Sequence, residues 1–595
     1  MATALACAPS EAPLPTADPQ TERTLTSGRI LGFRDAQGSH VWRGIPFAAP
    51  PTGKYRWRAP RSPRSWDTPR EMLAFGARCP QYASPLDQVG EIGTVIGDED
   101  CLTLNVFAPP FKPYEWPGRG RRLPVMVWFH GGGNVSGASD FYDGSVLARR
   151  HNVIVVTANY RLGPLGFFRH PALRDGATYE EESGNFATLD LIRALHWVQE
   201  NAANFGGDPE NVTIFGESAG ARNVLMLLLA PGAQGLFHRA IVQSGGTRTS
   251  SLEDAEAAGE RPTLGGAPGS QEVLLRLRMA DGAPDRKAAA RQLETLSEVE
   301  IATYLGEKTA AELLAAYGDY GESSGRTGLF RQPQNFRDGV VLPEALPIEA
   351  LAAGAYAQVP IILGSNRDEQ KLFLMANPEH VRWTFGVPSA RDPERYELLS
   401  SLQSRFWKAN GVDALASAMR SVQGDSVYAY RFDWDEEPRI LWADLGQLVG
   451  AAHAIEIPFV FGHWNLGPQS HLLFDDDNAP GRVALSDAML SYWAEFAWKG
   501  APGRGRTREL PAWDAWDPSA PDAGKYLVLD TETGGGIRME PAVVTNDALF
   551  VDLAQASLDE ATRCKIYGDW VWGAPRVADR GAGLGCGSGR KPAAP

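Results

Sequence analysis

The chain has 595 residues, 43% apolar and 22% charged, an ordinary balance for a globular protein able to bury a large core. A formal net charge of -15 argues against general nucleic-acid binding and offers no attraction to anionic membranes. The five cysteines are too few for a disulfide-built scaffold. No clustered Cys/His set suggests zinc, and no apolar run is long enough to span a bilayer.

Residues 1–22 are rich in Ala, Pro and Thr and read as a disordered segment. Within them, Ala4-Leu5-Ala6-Cys7 looks like the cleavage end of a lipoprotein signal whose basic and apolar front is missing. Lipid anchoring through Cys7 is expected only if the true start lies upstream. Residues 23–110 read as an antiparallel, loop-rich opening, with short strands at 28–33, 41–47 and 102–107.

From 120 to 245 the pattern alternates strand and helix. Leu123–Phe129, Val153–Thr157, Val212–Phe215 and Ala240–Gln243 are nearly free of charge, as strands buried on both faces must be. Apolar positions between 187 and 203 recur at helical spacing. Residues 271–317 and 371–425 read as helical insertions, Val359–Gly364 and Val427–Phe432 as further strands, and Met489–Phe496 as a late helix. The Gly/Arg/Pro-rich stretch 575–595 reads as a flexible tail. The organisation is one α/β domain over 23–574, with a large, mostly parallel sheet and helical insertions.

Chemistry concentrates at Gly216-Glu217-Ser218-Ala219-Gly220, between a strand and the apolar helical run Val224–Leu229. A serine between glycines at a strand-to-helix turn is a nucleophile elbow. The turn excludes bulky neighbours, lifts the hydroxyl clear and sets it over a helix N-terminus. An acyl-transfer serine also needs a base, a group to orient that base and an oxyanion site. His130-Gly131-Gly132-Gly133, directly after the Leu123–Phe129 strand, supplies accessible backbone N–H groups as the oxyanion loop of an α/β-hydrolase would.

Among ten histidines, His453 is the best placed for the base, in a low-charge stretch late in the chain. His130 reads as support for its own loop, and His196, beside Trp197, as packing. For the orienting acid, Asp368, Glu369 and Glu456 stay open on spacing alone. Cys79 with Cys101 and Cys564 with Cys586 are close enough in sequence for two local bridges, with free or buried thiols equally compatible.

Five segments together resemble the type-B carboxylesterase/lipase family, the cholinesterase-like branch of the α/β-hydrolases. They are Gly44–Ala48, Glu99–Val106, Asn159–Gly163, Phe205–Gly220 and Gly235–Ala240, and the similarity spans about residues 26 to 530. The resemblance implies Ser218 as nucleophile, Glu369 as triad acid and His453 as general base. It also implies an oxyanion hole of the Gly132, Gly133 and Ala219 N–H groups, with no metal or cofactor. It further implies a Cys79–Cys101 bridge, and hence secreted or periplasmic location, though a cytoplasmic one stays open.

Several positions depart from the family pattern. Gln370 stands where a glycine commonly follows the triad acid, and Asn134 where an aromatic is frequent, which makes the pocket more polar. Arg222 reads as a surface or interhelical charge, with pairing to Glu217 or contact with an acidic substrate as alternatives. Tyr82 and Leu86 occur where cholinesterases carry a tryptophan, which argues against a true cholinesterase. The expected activity is hydrolysis of a small-molecule carboxylic ester through an acyl-enzyme. A long-chain lipase, an amide or carbamate hydrolase and a non-catalytic binding protein are the alternatives. The oligomeric state is not legible.

Overall fold

In the computed structural model, Leu123–Phe129 is buried at every residue, and its side chains alternate between two apolar layers. Val125, Val127 and Phe129 join one core, and Met126 and Trp128 the other. A strand that is apolar on both faces has to lie inside a sheet covered on both sides. The structure describes residues 13–84, 89–111, 117, 118, 120–176, 178–258, 267–318, 328–467, 470–519 and 521–586.

The central sheet has 11 strands. In chain order they are β1 (Phe33–Arg34), β2 (His40–Pro46), β3 (Thr103–Ala108), β4 (Leu123–Phe129), β5 (Ile154–Ala158) and β6 (Gly207–Glu217). Then follow β7 (Arg239–Gln243), β8 (Ile361–Asn366), β9 (Val427–Phe432), β10 (Tyr526–Leu529) and β11 (Arg538–Glu540). Their spatial order is β11-β10-β9-β8-β7-β6-β4-β5-β3-β2-β1. The strands from β10 through β5 pair in parallel, and the pairings outside them are antiparallel. The order reverses beside β4 and β6, and in an open sheet of this kind ligands bind outside the strand C-termini near such a reversal. Two helices matter most: α1 (Phe186–Asn201) and α2 (Ala219–Leu229). Every residue of α2 except Arg222 is buried.

The opening segment is mostly antiparallel, although Gly28–Leu31 pairs outside the main sheet, antiparallel with Arg23–Leu25 and parallel with Arg70–Glu71. The 271–317 stretch forms four helices, Ser270–Ala280, Arg286–Leu293, Glu298–Glu307 and Ala310–Ala315. The second helical stretch is interrupted by a hairpin, Val381–Thr384 with Val387–Ala390, because Phe385 and Gly386 both take positive φ and turn the chain.

The described part of the tail, residues 575–586, also differs from expectation, and residues 587–595 lie outside the described residues. Pro575–Leu584 is a 3-10 helix in which Val577 and Leu584 are buried, and Cys586 beyond it is bonded to Cys564. Cys79 is bonded to Cys101, and both are buried. At the other end, Pro19–Thr21 is a 3-10 turn, with Thr21 buried and accepting from the Gly32 N–H. Cys7 and Leu86 lie outside the described residues. Among the described residues no helix is long and apolar enough to cross a membrane, and no cluster of His, Cys, Asp or Glu could hold a metal.

Candidate active site

Strand β6 ends at Glu217, α2 begins at Ala219, and Ser218 between them has φ 57° and ψ -118°. That backbone region is costly for any residue with a side chain, by about 1–3 kcal/mol, and persists only where packing over-determines it. Here the packing is visible at the flanking glycines. A Cβ on Gly216 would stand 2.6 Å from the Phe129 carbonyl oxygen, and one on Gly220 only 1.9 Å from the same atom. The Ser218 N–H donates to the Gln243 carbonyl at 2.9 Å, tying the elbow to β7. Ser218 itself keeps partly accessible surface.

The glycine loop follows β4 and lies over the elbow. Gly132 and Gly133 both take positive φ. A Cβ on Gly132 would meet the Ser136 carbonyl oxygen at 2.1 Å, and one on Gly131 would meet Glu217 Oε2 at 2.8 Å and Ser218 Cβ at 3.1 Å. Among the described residues, the backbone N–H groups of Gly132, Gly133 and Ala219 find no acceptor. Interior N–H groups are nearly always paired, so three without an acceptor, on the loop over the elbow and at the start of α2, are donors open to an incoming group.

His453 and Glu369 come together. Glu369 follows β8, and its Oε2 accepts from His453 Nδ1 at 2.6 Å, while its Oε1 accepts from the Asn366 N–H at 2.8 Å. The imidazole is buried against Trp407 and Phe373. The other open acids do different work. Asp368 binds Arg367 and Lys371 and accepts from the Ala451 N–H. Glu456 accepts from Asn366 Nδ2 at 2.7 Å and Gln243 Nε2 at 3.3 Å.

Ser218 Oγ makes no hydrogen bond to His453 among the described residues. Instead His453 Nε2 faces Glu217 Oε1 at 3.1 Å, an ion-pair distance with poor hydrogen-bond alignment. Glu217 was not picked out by its sequence context. Its signal was a carboxylate inside the elbow, at a position the strand buries. Burial opposes charging the imidazole, yet Glu217, Glu369 and Glu456 outweigh it and raise the His453 pKa to about 9. Burial pushes Glu217 well above the carboxylate range. His453 pulls it back, while Glu456 and Glu369 push it further.

His130 stacks on Tyr160 with ring centroids 4.5 Å apart, and burial lowers its pKa to about 4, so it supports its loop as a neutral ring. His196 is exposed on α1 rather than packed, because the apolar stripe of that helix runs through its neighbours Leu195 and Trp197. Arg222 is neither a surface charge nor a partner of Glu217. Its Nη1 donates to Gln334 Oε1 at 3.2 Å, and Gln334 Oε1 also accepts from Asn134 Nδ2 at 2.6 Å. Asn134, fully buried, also accepts from Asn223 Nδ2 at 2.8 Å and from the Tyr160 hydroxyl at 3.2 Å. Tyr82 is buried and packs edge-on against Phe330.

A model of the carboxylesterase family matches residues 19–384 and 382–545. The chain is 34% identical to the para-nitrobenzyl esterase of Bacillus subtilis (strain 168) over 530 residues, covering 86% of this chain and 94% of that protein. It is 32% identical to the liver carboxylesterase of Sus scrofa over 622 residues, covering 93% and 97%. Among solved structures, carboxylesterase EST55 of Geobacillus stearothermophilus at pH 6.2 superposes with a TM-score of 0.64 at 30% identity, covering 88% of this chain and 98% of that one. This chain therefore belongs to the carboxylesterase family, and it is a serine carboxylic-ester hydrolase built on the α/β-hydrolase fold.

Proposed function

We propose that Ser218, His453 and Glu369 carry the hydrolysis, with the N–H groups of Gly132, Gly133 and Ala219 as oxyanion donors. The observation that carries this reading is the 2.6 Å contact between His453 Nδ1 and Glu369 Oε2 beside an elbow serine. It fixes the tautomer that leaves Nε2 free to accept a proton. In the productive complex Nε2 turns from Glu217 toward Ser218. Such contacts tighten when substrate binds, and the 3.1 Å spacing to the neighbouring residue leaves a short path.

Nε2 takes the hydroxyl proton as Oγ attacks the ester carbonyl. Negative charge collects on the carbonyl oxygen, where each donor contributes roughly 3 kcal/mol. The alcohol leaves with the proton from His453. Water then adds to the acyl-enzyme by the same route, releasing a carboxylic acid and regenerating Ser218.

The test is turnover of p-nitrophenyl esters of increasing chain length, with a p-nitrobenzyl ester included because one relative is named for that substrate. Ser218→Ala is expected to lower kcat by roughly 10⁴-fold or more. Folded wild-type protein that turns over nothing in a serine-dependent way would sink the reading. We also place the enzyme outside the cytoplasm, supported by its two disulfides, since such bonds persist in oxidising compartments. Fractionation of cells expressing the full gene, with thiol labelling, checks this. Reduced cysteines in a cytosolic fraction would overturn it.

A further inference from the structure

Helix α2 is buried except at Arg222 and apolar except at Arg222 and Asn223; Arg222 lies one turn beyond Ser218, whose carbonyl accepts from its N–H at 2.9 Å. Arg222 is set deep among protein atoms, yet it is the one residue of that helix that is not buried. A partly exposed arginine on an otherwise buried helix, one turn past Ser218, stands where accessible space reaches toward the elbow. A guanidinium has five N–H donors. Among the described residues this one meets a single acceptor, Gln334 Oε1, and its Nε is buried without a partner. No carboxylate stands within ion-pair distance of it among the described residues.

The surroundings add positive charge and polar groups. Arg248 is near enough that the charges of Arg222 and Arg331 depress its pKa further, after burial itself. Burial lowers Arg222 to about 10, so it stays cationic at neutral pH. Gln334 connects Arg222 to the glycine loop, since its Nε2 donates to the Gly133 carbonyl at 3.2 Å. The orientation of its amide is settled by the two donors, Arg222 and Asn134, that share its oxygen. Gln332, two residues earlier and 4% exposed, has both amide atoms unpartnered among the described residues. A guanidinium set deep with no carboxylate at ion-pair distance is costly, and the positive charge of Arg248 nearby adds to that cost. An anion from outside the chain would remove it.

We propose that this pocket recognises a carboxylate, so that the preferred substrates are esters whose acyl part carries a second, free carboxylate, such as hemiesters of short dicarboxylic acids. The proposal rests on the esterase reading of Ser218. The leaving alcohol must stay within reach of His453 Nε2, whereas Arg222 and Gln334 sit beside the oxyanion loop, where the rest of the acyl group lies. Water adds across the acyl–oxygen bond, the alcohol leaves with one of its protons, and the dicarboxylate is released as the other proton passes to solvent.

The test compares mono-(4-nitrobenzyl) glutarate, neutral 4-nitrobenzyl pentanoate, and the pentanoate ester of 4-(hydroxymethyl)benzoate, which carries its anion on the alcohol. The wild type is expected to favour the glutarate hemiester in kcat/KM. Arg222→Met should lower the hemiester-to-pentanoate ratio by roughly 10- to 100-fold, the range of a charge-assisted pair. A merely structural role would lower both substrates together. Arg222→Lys should recover part of the ratio, and Gln334→Glu, which gives Arg222 an internal partner, should depress it. Calorimetric binding of the hemiester to Ser218→Ala, weakened by adding Arg222→Met, tests the pocket even where turnover fails. A ratio unmoved by Arg222→Met, equal binding of hemiester and pentanoate, or preference for the alcohol-side anion would each overturn the proposal.

Discussion

The two sides of Ser218 hold opposite charge and are compensated in opposite ways. On the imidazole side, Glu217, Glu369 and Glu456 surround one histidine, and Asn366 and Gln243 donate to Glu369 or Glu456. On the oxyanion-loop side, Arg222 has Gln334 and no carboxylate among the described residues. The first cluster is closed by the chain itself, as catalysis requires of groups that must be in place before substrate arrives. The second is left open, as binding requires of a group whose partner arrives with the substrate.

The closed side should break hardest. Glu369→Gln keeps the shape of the side chain but removes the charge that fixes the His453 tautomer and stabilises its protonated form. A fall in kcat of roughly 10³- to 10⁴-fold is expected. Steady-state kinetics on a neutral ester, with the fold checked by circular dichroism, measures it. A loss below tenfold would mean that Glu456 takes over the orienting role, against its present contacts with Asn366 and Gln243.

The difference between the two sides also explains what could be read in the sequence. Strand positions were legible where an apolar run is long and bounded by turns, so Leu123–Phe129 and Val427–Phe432 match residue for residue. The elbow was legible because its glycines and its strand and helix are contiguous. The four-residue β10, the three-residue β11 and the 381–390 hairpin passed unread, since runs so short carry little periodicity.

His453 and Glu369 lie 84 residues apart and are joined only by the fold, so a low-charge stretch favoured His453 but only family resemblance chose Glu369 over Asp368 and Glu456. Arg222 reads first as a surface charge by the same logic in reverse, with contact to an acidic substrate only as the alternative. Arginine is usually exposed, and nothing local showed that α2 would be buried on every other residue.

A smaller effect is expected where the open side is anchored. Gln334→Leu strips Arg222 of its acceptor and takes the nearer of two from Asn134 Nδ2, which keeps Asn223 Oδ1 at 3.3 Å. A loss of about 1–3 kcal/mol in stability is expected, read as a lower urea midpoint at unchanged slope. An unchanged midpoint would show that the Arg222 cluster is hydrated at no cost, and the contrast between the two sides would weaken.

The finest test concerns the proton shared on the closed side. Glu217 Oε1 stands 3.1 Å from His453 Nε2, and burial, opposed by three carboxylates, leaves the imidazole pKa at about 9. Glu217→Gln removes one negative charge that stabilises the protonated ring and leaves the neutral ring nearly untouched, so the pKa falls. Ester attack needs the neutral ring. The acid limb of the kcat/KM profile should therefore lie above the ordinary histidine range in the wild type and move to lower pH in the variant, by roughly one unit. The measurement is a pH profile on a neutral ester, where no substrate charge titrates. A limb that stays in place would mean that Glu217 already holds a proton at working pH, as its own raised pKa allows. The closed side would then carry one negative charge fewer against the guanidinium across the serine.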